Sequence, residues 1–105
     1  MYSELQKNSI PIVNSVLNYV QESGTYAGDW VAGITDQPRI GLPQGHGVKL
    51  LSDRFICVPA PNEATARFVE EFLVDPVFVG MLGGTGGETT GKFVYAYLKN
   101  SHTKP

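Results

Sequence analysis

The stretch KFVYAYL, Lys92 to Leu98, is the part of the sequence that most limits the possible folds of this chain. Its side chains alternate with period two, which predicts a β-strand with two different faces. One face is aromatic and the other aliphatic: Phe93, Tyr95 and Tyr97 against Val94, Ala96 and Leu98. Both faces are apolar, so both cannot face water. Either the sheet is covered on both sides, or the aromatic side forms a pocket or an interface, and on this ground we expect a homo-oligomer.

Two segments have helical periodicity. In the first, Pro11 to Glu22, apolar residues recur at three- and four-residue steps, with Ser9 placed to cap the helix and Gly24 to end it. Residues 3–10 form either a preceding turn or a kinked extension. In the second, Asn62 caps a helix from Glu63 to about Leu73. Its predicted buried stripe consists of Phe68, Val69, Phe72 and Leu73, and its exposed side carries Glu63, Glu70 and Glu71.

Two further strands are predicted around Trp30–Ile34 and over Arg54–Val58. Between them, DQPRIGLPQGHG, Asp36 to Gly47, has two prolines and three glycines in twelve residues, which is typical of a long exposed loop. The order of elements predicts an α+β fold, a small and mostly antiparallel sheet of three to four strands packed with two helices. We expect one domain over residues 1–100 and a polar tail over 101–105.

Length and charge narrow the function classes. A chain of 105 residues has room for one domain, and a net charge of −2 gives no broad attraction to nucleic acid or acidic lipid. No apolar stretch is long enough to cross a membrane, and no signal-peptide pattern begins the sequence, so a cytoplasmic protein without membrane contact is expected. The one cysteine, Cys57, lies in an apolar run and is predicted to be a buried, inert thiol.

The stretch GGTGGETTGK, Gly83 to Lys92, has glycines and a lysine at the spacing of a phosphate-binding P-loop. Phe93 stands where that motif has a Ser or Thr for magnesium, and the segment that follows is a predicted strand, not a helix. The N-terminal helix dipole that a P-loop uses is therefore absent from the predicted structure. The stretch is either a permissive turn or a concave nest of backbone N–H groups that binds an anion.

The stretch VAGITDQPRIGLPQGH, Val31 to His46, resembles the second half of the GIY-YIG nuclease signature, and Gly24, Thr25 and Tyr26 resemble its GIY triplet. The combination of AGIT with Ala66 to Glu70 of the second predicted helix, and then GMLGGTGG and VYAY, also resembles small uncharacterised proteins of bacteria and phages. The resemblance implies a magnesium-dependent phosphodiester hydrolysis in which a tyrosine, an arginine and a helical glutamate act. The residues that it implies as catalytic are Tyr26, Arg39, His46 and Glu70, with Glu70 as the metal ligand.

The sequence departs from that signature in several places. Val31 stands at the second tyrosine, and the arginine position falls on Gly41, with Arg39 two positions early and His46 about one late. The interval between the two triplets is also shorter than in the family. Catalytic groups displaced in this way lose much of their effect.

The hypothesis that best fits these patterns is a small non-catalytic binding protein, self-associating, without a cofactor. It would hold an anionic or nucleotide-like ligand, or a protein partner, between residues 36–47 and 83–92. The predicted ligand-binding residues are Arg39, His46, Gly84, Gly86, Gly87, Thr89 and Lys92, although His46 is also explained as an exposed loop residue. The alternatives are a divergent GIY-YIG-like nuclease, which would use Mg²⁺ and bind nucleic acid, and a purely structural subunit. A phage or bacterial defence context is implied by the resemblance alone.

Overall fold

The computed structural model describes residues 3–83 and 90–104. They form an α+β fold with three helices and a four-stranded mixed sheet in the order β2-β4-β1-β3, which confirms the predicted fold class. The strands are β1 Trp30–Thr35, β2 Phe55–Pro59, β3 Leu82–Gly83 and β4 Phe93–Leu98. β4 lies antiparallel between β1 and β2, while the two-residue β3 runs parallel to β1.

Helix α1 runs over Glu4–Glu22, so residues 4–10 belong to the helix itself and residue 3 is its N-cap. A capping box fixes this start, because the Ser3 side chain accepts from the Gln6 backbone N–H and the Gln6 side chain accepts from the Ser3 N–H. Ser9 is therefore not the cap that the sequence suggested. Its hydroxyl donates to the Leu5 carbonyl at 2.7 Å within the helix, and Pro11 lies inside the helix.

Helix α3, Glu63–Val74, begins as predicted, with the Asn62 side chain accepting from the Thr65 N–H at 2.8 Å. The predicted buried stripe is only half correct. Val69 and Leu73 are fully buried, whereas Phe68 and Phe72 are half-buried on the outer side of the helix. The inward stripe instead extends to Thr65 and Ala66.

Helices α1 and α3 cover one face of the sheet. Their apolar residues pack against the aliphatic side of β4 and the matching side of β1: Ile12, Val16, Val20, Ala66, Val69 and Leu73 against Trp30, Ala32, Ile34, Val94 and Ala96. This cluster is the larger of the two cores, and it is built almost entirely from non-directional apolar contact.

Residues 36–53 cover the aromatic face, and the prediction of a long exposed loop over 36–47 is wrong. The segment contains the short helix α2, Pro38–Ile40, followed by one π-helical stretch, Gly41–Gly45. Leu42 and Val48 are each 1% exposed, because they pack on the aromatic face of the sheet. The chain therefore covers its own aromatic face, which removes the sequence-based reason for expecting self-association.

Residues 100–104 fold back over the same face. The Lys104 N–H donates to the His46 carbonyl at 2.7 Å, and the His102 ring lies 2.6 Å from an Asp53 carboxylate oxygen. His102, expected outside the folded body, is thus in contact with it. None of the described helices is both long and apolar enough to span a bilayer.

Candidate functional site

His46 is the centre of a buried polar network on the aromatic face. It is 2% exposed, and its Nε2 lies 2.8 Å from the Tyr95 hydroxyl. Its Nδ1 lies 2.8 Å from the Lys104 carbonyl oxygen and 3.1 Å from the Tyr97 hydroxyl. A carbonyl oxygen can only accept, so in the neutral ring the proton belongs on Nδ1 and Nε2 accepts from Tyr95.

Tyr97 completes this network. Its hydroxyl donates to the Lys104 carbonyl at 2.6 Å, and burial raises its pKa to about 12. Both ring nitrogens of His46 therefore contact the protein itself. The interpretation of His46 as an exposed loop residue is wrong, and the geometry gives the imidazole structural partners in place of an open ligand position.

Gly33 allows the network to form. It lies opposite Tyr95 in the antiparallel pair of β1 and β4, and a Cβ at Gly33 would stand 2.2 Å from the Tyr95 hydroxyl oxygen. The tyrosine ring can lie against the β1 backbone only because position 33 has no side chain.

A cleft of about 310 Å³ opens on this face beside the network. It is lined by Pro38, Arg39, Leu42, Leu50, Phe55, Cys57 and Phe93. Among these, Arg39 alone is charged, and its side chain is exposed. The two phenylalanines and the cysteine are half-buried, so the cleft is an apolar and aromatic cavity with one cation at its edge.

The cysteine of the cleft is poorly suited to act as a nucleophile at neutral pH. Burial raises the pKa of the Cys57 thiol to about 11, so at neutral pH the thiol stays protonated and the reactive thiolate is scarce. The prediction of an inert thiol agrees with this shift. The side chain is, however, half-buried at a cavity wall and not enclosed in the core.

The described end of the second glycine-rich segment, residues 90–92, contacts the start of the first at one end of this face. The Lys92 N–H donates to an Asp36 carboxylate oxygen at 3.2 Å, and a Cβ at Gly91 would stand 2.3 Å from the Thr35 carbonyl carbon. Lys92 is exposed and immediately precedes Phe93 of the cleft. Of the two predicted ligand-binding cations, Arg39 therefore lines the cavity, whereas Lys92 adjoins the lining residue Phe93 in the chain and does not line the cavity itself.

The chain that leaves Lys92 is strand β4, as the alternation predicted, so no helix N-terminus follows the glycines. The remaining predicted ligand contacts, Gly84, Gly86, Gly87 and Thr89, lie outside the described residues.

The residues implied by the nuclease resemblance do not form one group. Arg39 and His46 lie on the aromatic side of the sheet, while Glu70 belongs to α3 on the opposite side. Tyr26 is 82% exposed. Burial, and then the neighbouring Glu71 carboxylate, raise the pKa of Glu70, against a smaller lowering by Arg67. Within residues 3–83 and 90–104, no three His, Cys, Asp or Glu side chains are grouped to hold a metal ion.

Phe55, Cys57 and the leucines of the cleft were missed as site residues. Phe55 and Cys57 alternate along β2 in phase with Tyr97 and Tyr95, their partners across the sheet, so period-two reading of RFICV could have placed them on the aromatic face. Leu42 and Leu50 gave no such signal, because their segment lacks a regular period.

Comparison of the chain with protein-family models, with curated proteins and with solved structures finds no match. The function is therefore inferred from the site itself.

Proposed function

We propose that this chain is a small non-catalytic binding protein whose cleft on the aromatic face holds an anionic, nucleotide-like ligand. The observation that carries the proposal is the cleft itself, where the Arg39 guanidinium stands at the edge of an otherwise apolar cavity walled by Phe55 and Phe93. A ligand that fits it has one anionic group and one flat, apolar part.

The arginine and the phenylalanines of the cleft each match one part of such a ligand. The planar guanidinium binds phosphate or carboxylate through two parallel hydrogen bonds, and aromatic rings stack on nucleobases with little dependence on sequence. A volume of about 310 Å³ is at the lower end of small-ligand sites. It suits a single base or a mononucleotide better than an extended chain.

Binding without turnover is supported by the groups that surround the cleft. The Cys57 thiol is protonated at neutral pH, and the nearby His46 ring is engaged on both nitrogens. The described lining residues include no carboxylate. The nuclease alternative gains no support, because α3 carries Glu70 on the far side of the sheet from Arg39.

Isothermal titration calorimetry against nucleoside monophosphates, cyclic nucleotides and inorganic phosphate tests the proposal. We expect a nucleotide to bind, inorganic phosphate to bind more weakly, and Arg39→Gln to weaken nucleotide binding at least about tenfold, as expected for a lost charge-assisted hydrogen bond. Lys92→Gln is expected to have a smaller effect, since Lys92 does not line the cavity.

Arg67→Gln is the matched control. Arg67 is an exposed arginine on α3, on the other side of the sheet, and its loss lowers the net charge by the same amount. Binding that falls equally in the Arg67 and Arg39 variants, or a panel in which nothing binds, would exclude the cleft as the ligand site.

A further inference from the structure

The outer surface of the helical layer has an apolar groove between α1 and α3, on the far side of the molecule from the ligand cleft. It measures about 310 Å³ and is lined by Gln6, Ser9, Ile10, Val13, Asn14, Phe68 and Phe72. A second depression of about 180 Å³ continues it, shares Phe68 and Phe72, and adds Glu71, Asp75 and Phe78. The two depressions together form one groove along the helices.

Large apolar side chains are exposed along this groove. Phe78 is 63% exposed and Ile10 is 41% exposed, while Phe68 and Phe72, predicted to belong to the buried stripe, are half-buried. Aromatic side chains concentrated in this way are the usual anchors of a protein–protein contact.

The turn after α3 holds Phe78 in place. The Asp75 carbonyl accepts from the N–H groups of Phe78, Val79 and Gly80 at 3.1, 3.0 and 2.9 Å, and the Asp75 carboxylate accepts from the Val77 N–H at 2.8 Å. The Phe78 ring is stacked on Phe72, with ring centroids 4.8 Å apart and planes inclined by 17°. The exposed ring is therefore pre-organised, which lowers the entropy that a partner must remove on binding.

The ionisable side chains that line the groove have one sign, although the exposed Arg67 lies next to Phe68 on α3. Among the described residues that line the two depressions, the ionisable side chains are Glu71 and Asp75, and Glu70 lies next to Glu71 on α3. The pKa of Glu70 is raised first by burial and then by Glu71, and it is lowered by Arg67. In a two-fold dimer the same lining faces itself, so a second copy would offer Glu71 and Asp75 no cation from the described residues of that lining.

We propose that this groove binds an amphipathic helix of a partner protein, one that carries large apolar residues on one face and Lys or Arg beside them. The apolar residues would pack between Ile10 and the Phe72–Phe78 stack, in the manner of a helix in a groove. The basic residues would face Glu71 and Asp75, which sets orientation and speeds association. This surface is separate from the cleft of the proposed function and does not depend on it.

Two synthetic peptides test the proposal. Both have leucine at helical spacing of three and four residues, and the remaining positions are lysine in one and glutamate in the other. Fluorescence anisotropy of the labelled peptides at physiological ionic strength should show binding of the lysine peptide and at least about tenfold weaker binding of the glutamate peptide. Equal binding of the two peptides would overturn the charge argument.

Point variants locate the contact. Phe78→Ser and, independently, Ile10→Ser should each weaken the lysine peptide at least about tenfold, while Leu51→Ser, at a fully exposed leucine elsewhere, should leave it unchanged. Glu71→Gln should weaken binding, and Glu22→Gln, an exposed glutamate near the end of α1, should not. Equal losses in the Leu51 or Glu22 controls would refute the assignment.

Sedimentation of the unliganded protein distinguishes a second copy from a partner. We expect a monomer. A dimer that dissociates on Phe78→Ser would assign the groove to self-association and overturn the proposal. Circular dichroism of each variant confirms that it is folded, and nucleotide binding at the cleft should be unaffected by all of these substitutions.

Discussion

The two faces of the sheet are held by different physics. The face under α1 and α3 is closed by apolar side chains such as Val16, Trp30 and Leu73, each fully buried. The other face, under residues 36–53, adds to the apolar contacts of Leu42 and Val48 a polar network that joins His46 to the sheet tyrosines. Apolar packing depends on volume and tolerates compensation, whereas a hydrogen-bonded network needs each partner at its own position. We infer that the helical face contributes most of the free energy of unfolding, whereas the network on the other face fixes the positions of the side chains that form it.

The largest effect should come from the helical face. Leu73→Ala removes a side chain that is 0% exposed and leaves a cavity between α3 and the sheet, which should lower the free energy of unfolding by about 2–5 kcal/mol. Urea unfolding followed by circular dichroism measures it. If Leu73→Ala lowers the free energy of unfolding by less than Tyr95→Phe or Tyr97→Phe does, this division of roles between the two faces is incorrect.

Gly33→Ala should have the next largest effect, because it breaks the geometry of the polar face without removing any polar group. The added Cβ would stand 2.2 Å from the Tyr95 hydroxyl oxygen, so the ring must move off the strand, at a cost of about 1–3 kcal/mol. The measurement is urea unfolding of Gly33→Ala alone and combined with Tyr95→Leu. We expect the double variant to lose less unfolding free energy than the two single variants lose in sum, because the smaller side chain leaves room for the added Cβ. If the two losses are strictly additive, the Tyr95 ring does not contact position 33.

Tyr97→Phe should have the smallest effect at neutral pH and a distinctive one in alkali. Loss of the hydroxyl removes its bond to the Lys104 carbonyl, at a cost of about 0.5–1.5 kcal/mol. The pKa of Tyr97 is about 12 in the folded protein, against 10.0 for an ordinary tyrosine. The folded protein therefore holds this proton more tightly than the unfolded chain does. The contribution of Tyr97 to the free energy of unfolding is fully present below about pH 10 and is lost as the pH rises toward 12.

Unfolding free energies measured from pH 8 to pH 12 test this difference. The variant should lose less stability over that range than the unsubstituted protein, so the two curves should converge in alkali. Cys57→Ala is the necessary control, because the pKa of the Cys57 thiol is also raised, from 9.0 to about 11. Its deprotonation therefore also lowers the stability of the folded protein in alkali. Curves that stay parallel for Tyr97→Phe would show that its hydroxyl is not held protonated by the fold.

The helical face was largely readable from the sequence. The cap at Asn62 and the alternation in β4 are local signals, and each points to the same buried layer. The start of α1 was misplaced because Pro11 suits a first turn, whereas the capping box of Ser3 and Gln6 decides the matter. The outward placement of Phe68 and Phe72 could not be read, because helical periodicity does not tell which apolar stripe meets the sheet.

The polar network could not be predicted from the sequence, because its members are far apart along the chain. His46 is 49, 51 and 58 residues from Tyr95, Tyr97 and Lys104, and no local pattern relates such positions. The density of glycine and proline in residues 36–47 suggested an irregular exposed loop, but it excludes neither short helical turns nor the burial of single side chains. Arg39 was identified as a candidate from its residue type and loop position, while the cavity beside it depends on tertiary packing of Leu42 and Leu50.

The position of β4 in the middle of the sheet has a consequence for biosynthesis. β1 and β2 do not pair with each other, and each pairs instead with a strand that leaves the ribosome after both of them. A nascent chain that has emerged only as far as α3 thus carries two apolar strands with no neighbour between them, a state prone to aggregation. Completion of the sheet must await the arrival of residues 93–98, so this small domain is expected to fold after translation of that strand and not progressively during it.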